Sequence, residues 1–159
     1  MTTLEFLHRI PIFDALSDEE LAQVDACCVE KEYAANERIF ADGEKADYLY
    51  VVLEGRVDLR FEVPGKDSSP EDNITSVRQA QTFGWSALMQ SPIYSLSAYC
   101  ATAHCRVLQA SRKCLLAVFE KDPRMGYTVM GNVAEVIRMR FHQLQEELSR
   151  RKGRQPARW

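Results

Sequence analysis

The sequence predicts an α+β protein in which helical segments flank a central all-β sandwich or roll. Amphipathic segments with helix-capping residues occupy both ends of the chain. From Glu30 to about Ser111, short runs of β-branched and aromatic residues are separated by Gly, Asp, Asn and Pro, which is typical of a small β sandwich or roll. With 159 residues, of which 46% are apolar, the chain has the composition of one domain with a substantial core.

The N-terminal segment predicts two short helices. The apolar pattern of Leu4–Ile10 stops at Pro11, because proline cannot continue a helix. Ser17-Asp-Glu-Glu20 is a capping box, and apolar residues follow it at helical spacing. A second helix is therefore expected over about 18–28.

The central region contains several strand candidates. Tyr48–Glu54 and Arg56–Glu62 flank Gly55, which marks a turn. The second run alternates apolar with charged residues, so Arg56 and Arg60 are expected on a solvated face. The other strand candidates are Ile74–Ala80, Leu96–Thr102 and Cys105–Ala110.

The C-terminal segment predicts a short helix and a long one. Ser111 can cap a helix over Arg112–Glu120, and Asp122-Pro123 can open another that runs to about Arg151. Apolar residues recur in the long helix as a heptad seam made of Met130, Ala134, Ile137, Phe141, Leu144 and Leu148. The seam either packs on its own domain or meets a partner, since a helix of ~28 residues extends ~40 Å. A protein partner or a helix-mediated homodimer is the expected use of it.

Charge and hydropathy exclude several function classes. The net charge is −3, and seven of the basic residues lie from Arg138 onwards, so the body of the chain is acidic. An acidic body does not bind nucleic acid through a basic face, and sequence-specific DNA binding is not expected. No apolar run is long enough to span a bilayer and no secretory signal is present, so a cytoplasmic location is predicted.

The reactive residues show no catalytic or metal-binding pattern. Five cysteines, an odd number, occur without a CxxC pair and are interpreted as buried thiols: Cys27, Cys28, Cys100, Cys105 and Cys114. The three histidines are far apart, and nucleophile-elbow, HExxH and P-loop motifs are absent from the sequence. We therefore expect no catalytic residues and no metal site, and we do not expect an enzyme.

Three segments together resemble the cyclic nucleotide-binding domain family. Leu7–Leu21 is similar to the family opening xxxPLFxxLSxxEL, and Ala41–Asp58 is similar to its glycine-containing pair of strands. Phe83-Gly84 followed by Ala87-Leu88 stands where the family has its phosphate-binding cassette. The similarity continues to Asp122-Pro123 and so covers nearly the whole chain.

The resemblance implies a double-stranded β-helix, a jelly-roll-like β-roll, flanked by N-terminal helices and a long C-terminal helix. It divides the chain 1–159 into N-terminal helices over 1–29, a roll over 30–111, C-terminal helices over 112–151 and a basic tail over 152–159. It also implies a stand-alone regulatory module in which a ligand inside the roll moves the C-terminal helix against a partner protein. The candidate ligand-binding residues are Gly84, Trp85, Ser86, Ala87, Leu88, Tyr94 and Ser95.

The cassette departs from the family pattern at its two charged positions. Trp85 replaces the glutamate that holds the ribose, as in a bacterial branch of the family, and the family arginine corresponds to Ile93 or Ser95. No basic residue occurs between Arg78 and Arg106. A charge-assisted hydrogen bond contributes about 1.5–3 kcal/mol, so cAMP or cGMP is expected to bind weakly.

Three interpretations of the pocket remain open at this point. It binds a less charged or aromatic ligand on Trp85 and Tyr94, or it binds a cyclic nucleotide weakly through backbone N–H groups and Ser95, or Trp85 fills it. The alternative function is accordingly a ligand-free interaction or assembly subunit that keeps only the fold.

Overall fold

Eight antiparallel strands form two four-stranded sheets, with two helices before them and two after. The computed structural model describes residues 3–66 and 68–153. The helices are α1 (Thr3–His8), α2 (Asp18–Asp25), α3 (Arg112–Lys121) and α4 (Pro123–Lys152). The strands are β1 (Cys28–Ala34), β2 (Arg38–Phe40), β3 (Tyr48–Glu54), β4 (Val57–Arg60), β5 (Asn73–Val77), β6 (Thr82–Phe83), β7 (Ser97–Cys100) and β8 (His104–Ser111).

The strand order is that of a β-roll. One sheet has the order β1-β8-β3-β6 and the other has the order β2-β7-β4-β5, so neighbours in space are mostly distant in sequence. The apolar faces of both sheets contribute fully buried side chains to one core, including Leu49, Val52, Val57, Phe83 and Val107. The predicted fold class, α+β with a double-stranded β-roll and a long C-terminal helix, is confirmed.

The predicted capping residues set the helix boundaries. The Ser17 hydroxyl accepts from the Glu20 backbone N–H at 3.2 Å, and the Glu20 carboxylate accepts from the Ser17 N–H at 2.9 Å. Ser111 caps α3 in the same way, by accepting from the Cys114 N–H. Helix α2 ends at Asp25, three residues earlier than predicted, because Cys28 already pairs with β8.

Side-chain hydrogen bonds anchor the first half of α4 to the N-terminal segment. Asn132 donates from Nδ2 to the carbonyls of Ile12, at 3.2 Å, and Asp14, at 2.9 Å. Val129 and Val133 are buried on the same side of the helix. The first half of α4 is therefore fixed to the body of the protein.

The strand predicted over Ile74–Ala80 ends early, at Val77, and a turn follows it before β6 begins in the other sheet. Strand β5 ends at Val77, and a turn closes where the Gln81 N–H donates to the Arg78 carbonyl at 3.0 Å. Ala80 has φ +66° in this turn and donates its N–H to Val52. The chain thereby leaves one sheet and enters the other. Hydrophobic periodicity along the sequence does not reveal this change of sheet.

The solvated position predicted for Arg60 is wrong. Arg60 is only 4% exposed, and its guanidinium carbon lies 4.4 Å from the Tyr99 ring centroid. Asp58 is equally buried and accepts a hydrogen bond from the Ser76 hydroxyl at 2.7 Å. Polar side chains of neighbouring strands bury one another on this outer face of the sheet. The alternation of apolar and charged residues along a single strand does not predict such burial.

The interpretation of all five cysteines as thiols is also wrong. Cys27 and Cys114 form a disulfide that joins the residues after α2 to the first turn of α3, across 87 positions in sequence. Cys28, Cys100 and Cys105 are free, and the last two are buried. Packing of α2 near α3 brings the paired cysteines together, and no spacing rule reveals that contact.

Alanine substitutions at two turn glycines will separate backbone strain from steric overlap. Gly55 and Gly43 both have positive φ, but a Cβ at Gly55 would lie 2.6 Å from the His104 carbonyl oxygen, whereas one at Gly43 meets nothing within 4 Å. We expect Gly55→Ala to lower the free energy of unfolding by about 3 kcal/mol or more, and Gly43→Ala by about 1 kcal/mol. Urea denaturation measures both, and equal losses would contradict the steric argument.

Candidate ligand-binding site

The candidate cassette begins where β6 ends, at a left-handed glycine. Gly84 has φ +74°, a conformation that L side chains rarely adopt. A Cβ at this position would lie 3.2 Å from the Tyr50 ring and 3.3 Å from the Tyr94 ring. Glycine therefore lets the chain pass close to these rings and enter the 3-10 turn Trp85–Leu88.

A cavity of about 60 Å³ lies between the cassette turn, the roll and α4. Five of the seven predicted binding residues line it: Gly84, Trp85, Ser86, Tyr94 and Ser95. The other lining residues are Phe40, Leu59, Leu96 and Arg140. Ala87 and Leu88 point instead into the core, where both are buried. The volume is well below the roughly 300–1,000 Å³ of typical small-molecule sites.

An aromatic cluster forms one wall of this cavity. The rings of Phe40 and Tyr94 stack with centroids 3.7 Å apart, and those of Tyr50 and Phe83 stack at 4.9 Å. The Tyr94 hydroxyl donates to the Tyr48 carbonyl. Burial raises the pKa of Tyr50 to about 12 and that of Tyr94 above its usual range, so both hydroxyls stay neutral. This wall is uncharged.

Arg140 of α4 supplies a cation that the cassette itself lacks. Its guanidinium carbon lies 4.4 Å from the Trp85 ring centroid, and its Nη2 donates to the Thr82 carbonyl. Its Nη1 is buried and has no hydrogen-bond partner among the described residues. Arg140 also forms no ion pair within that part of the chain. One edge of the guanidinium therefore has no hydrogen-bond partner among the described residues.

Burial changes the electrostatics of this arginine. Desolvation lowers the pKa of Arg140 to about 10, so the side chain remains charged at neutral pH. A desolvated charge that is held by a carbonyl and an aromatic face alone lacks a full counter-charge. An anionic group beside Nη1 would supply it.

Arg140 was absent from the predicted site residues, although the sequence contains a signal for it. Val129, Val133 and Val136 lie at helical spacing on the side of α4 that packs on the protein, and Arg140 continues that series. A lone arginine at the end of an apolar stripe is such a signal. Its target, the cassette, lies more than fifty residues earlier in sequence.

A second cavity of about 190 Å³ adjoins the first between α4 and the roll. The two cavities share Leu59, Trp85, Leu96 and Arg140 as lining residues. Since Trp85 and Arg140 stack on each other, this pair divides the space. A displacement of the Arg140 side chain would join the two cavities.

A second arginine attaches the end of the cassette turn to α3. Arg112 donates from Nη1 to the carbonyls of Ala87 and, at 3.0 Å, Met89. Its backbone N–H donates to the Asp47 carbonyl at 2.9 Å. The cassette is thus held by Arg140 from α4 and by Arg112 from α3.

The predicted heptad seam is only partly available to a partner. Met130 and Ile137 pack against the core of their own chain. Ala134 is exposed, and the large apolar residues nearer the C-terminus are exposed by 53%, 42% and 55%: Phe141, Leu144 and Leu148. The basic tail beyond Gly153 lies outside the described residues.

The structure contains neither a recognisable metal site nor a membrane span in the residues that it describes. Across 3–66 and 68–153, no group of three or more His, Cys, Asp or Glu side chains could hold a metal ion. None of the described helices combines the length and apolarity that a membrane-spanning helix needs.

Comparison with known proteins adds one family and several solved structures. The family model for the cyclic nucleotide-binding domain matches residues 30–122. A candidate cyclic nucleotide-binding protein from Geobacter metallireducens is 30% identical, and the match covers 89% of this chain and 100% of that chain with a TM-score of 0.76. The N-terminal domain of a Streptomyces coelicolor transcriptional regulator is 25% identical, with coverages of 84% and 91% and a TM-score of 0.69.

A regulatory protein of a kinase is similar over a shorter range. The cAMP-dependent protein kinase type II regulatory subunit of Drosophila melanogaster is 30% identical over 95 residues. That match covers 60% of this chain and 24% of the regulatory subunit. This chain therefore corresponds to a small part of that relative.

Proposed function

Because the chain belongs to the cyclic nucleotide-binding domain family, we propose that it is a non-enzymatic regulatory module that binds a cyclic nucleotide weakly and signals to a partner protein through α4. The position of Arg140 carries this proposal. One side chain of the C-terminal helix touches the cassette and lines the cavity. A nucleotide in the cavity would therefore contact α4 through Arg140.

The chemistry of a cyclic nucleotide matches what Arg140 lacks. The ligand carries one anionic phosphodiester, and the unpartnered Nη1 edge can donate to it in a charge-assisted bond. Ser86 and Ser95 line the same cavity and offer hydroxyls. Trp85 presents an aromatic face to a base, in place of the carboxylate that would hold a ribose. Binding without the family glutamate and arginine is expected to be weak.

The size of the cavity supports coupling to α4. A volume of about 60 Å³ cannot admit a nucleotide unless the Trp85–Arg140 pair separates or α4 shifts. The first half of α4 is anchored through Asn132, so displacement falls on the second half, which carries Arg140 and the exposed apolar residues. The ligand can shift the equilibrium between the closed and the displaced position of α4 only as far as its affinities for these two states differ.

A second candidate function is a ligand-free docking subunit. Two observations favour it: the Trp85–Arg140 pair already fills much of the candidate pocket, and Phe141, Leu144 and Leu148 are exposed on α4. In this case Arg140 is a structural clamp between α4 and the cassette, and no nucleotide enters the roll.

Calorimetric titration with cAMP and cGMP tests the role of Arg140. We expect Arg140→Ala to weaken binding by about 10- to 100-fold, because it removes a charge-assisted bond of about 1.5–3 kcal/mol. Arg138→Ala is the matched control, since Arg138 pairs with Glu135 on the exposed side of α4 and should leave affinity unchanged. Unaltered affinity in Arg140→Ala would refute the proposed role. No saturable binding by the unmodified protein would favour the docking subunit.

Adding a cation at the cassette provides an independent gain-of-function test. Ser95 lines the cavity, whereas Ile93 is 56% exposed and bridges to Lys45 outside it. We expect Ser95→Arg to tighten cAMP binding by about tenfold or more, and Ile93→Arg to have little effect. The same titration measures both variants. No gain in Ser95→Arg would indicate a pocket that a nucleotide cannot enter.

The exposed part of the seam predicts a parallel dimer through α4. Burial of Phe141, Leu144 and Leu148 against a second copy would remove apolar surface from water. Sedimentation should show a dimer at tens of micromolar, and Leu148→Glu should dissociate it. Met139→Glu is the control, because Met139 is 52% exposed on the same helix but lies off the heptad seam. A monomer at that concentration would contradict the prediction.

A further inference from the structure

We propose that the Cys27–Cys114 disulfide is a redox-controlled latch on the candidate pocket. In the oxidised form it holds α3 and the cassette turn in the closed arrangement, and its reduction lets them move and raises ligand affinity. The ligand readout of this inference rests on the proposed function, whereas its conformational part does not.

The disulfide fixes the point at which α3 begins. Cys27 lies between α2 and β1, and Cys114 lies in the first turn of α3. At the same place the Ser111 N–H donates to the Cys27 carbonyl at 3.1 Å. The start of α3 is therefore joined to the end of α2 by one covalent bond and one hydrogen bond.

The same helical turn carries the arginine that holds the cassette. Arg112 is two positions before Cys114, and its guanidinium donates to the carbonyls of Ala87 and Met89. A rigid shift at the start of α3 must therefore move these carbonyls or break their hydrogen bonds.

The direction of the effect follows from the size of the pocket. With the disulfide formed, the cavity measures about 60 Å³, and a nucleotide requires more space. That space is gained when the Trp85–Arg140 pair separates, or when the cassette and the helices that hold it move. A covalent link across α2 and α3 restricts this movement, so the ligand favours the reduced form.

The redox step is an ordinary thiol–disulfide exchange with a dithiol. Cys114 is partly exposed whereas Cys27 is 5% exposed, so the attacking thiolate bonds to the Cys114 sulfur and expels the Cys27 thiolate, which takes up a proton. The second thiol of the dithiol then attacks the first sulfur of the same dithiol, which is bonded to Cys114 in the mixed disulfide. This attack releases the Cys114 thiolate, which is then protonated. The dithiol ends as a disulfide, and the protein ends with two thiols.

The remaining cysteines do not compete in this exchange. Burial raises the pKa of Cys28 to about 12, so it stays a thiol, and it donates to the Val24 carbonyl. Cys100 and Cys105 are fully buried. In the cytoplasm, where we predict the protein to act, disulfides are mostly transient and redox-sensing.

Coupling between the two events must be reciprocal. If reduction tightens ligand binding tenfold, the ligand must raise the midpoint potential of the disulfide by about 30 mV. The latch therefore also makes the bound protein easier to reduce.

Hydrogen exchange on the oxidised and dithiol-reduced full chain tests the latch without any ligand. We expect amides 84–89 to exchange faster after reduction, while amides 48–54 in β3 stay protected. In oxidised protein, Arg112→Gln should reproduce the faster exchange of 84–89 because it releases the same carbonyls. Unchanged exchange at 84–89, or an equal increase in β3, would overturn the latch, since the disulfide would then act on global stability alone.

Titration with cAMP as the probe tests the ligand readout. Reduced protein and Cys114→Ser should bind cAMP at least tenfold more tightly than the oxidised protein, and oxidised Cys28→Ser should bind like the unmodified protein. Equal affinity in both redox states would overturn the latch and leave the proposed function standing. Absence of binding in both states would overturn the proposed function, and hydrogen exchange then decides the latch by itself.

Discussion

The contact between Arg140 and the cassette is the interaction on which the organisation of the site depends. A guanidinium that has left water is held by the Thr82 carbonyl and the Trp85 ring, and one of its edges is unpartnered among the described residues. Such an arrangement stabilises a charge less completely than a carboxylate would. The position of α4 and the conformation of the cassette therefore depend on each other.

The two halves of α4 have different surroundings. The first half is bonded through Asn132 and packed through Val129 and Val133. The second half carries Arg140, which contacts the body of the protein, while Phe141 and Leu148 are exposed. Under the proposed function, a change at the cassette would displace the second half without disturbing the core.

The family determines the fold more firmly than it determines the function. The roll, the left-handed Gly84 and the cassette turn are present, but the family's two charged ligand contacts are replaced. Function resides in the site, and under the proposed function the site would obtain its cation from Arg140 of α4. Held by Arg112 and Arg140 from two successive helices, the cassette is connected to the rest of the protein on both sides.

Local signals in the sequence were sufficient for the capping box at Ser17, the cap at Ser111, strand Tyr48–Glu54 and the long last helix. Each depends on residues within a few positions of one another, so periodicity and capping reveal it. Resemblance to a family also led to the candidate cassette at Gly84–Leu88, and its role in binding stays a prediction. Contacts between distant segments were decided by tertiary structure alone: the Cys27–Cys114 disulfide, the burial of Arg60 on Tyr99 and the approach of Arg140 to Trp85. These contacts form only when the two sheets and the terminal helices pack together, because packing, and not spacing along the chain, determines which side chains lose water and meet.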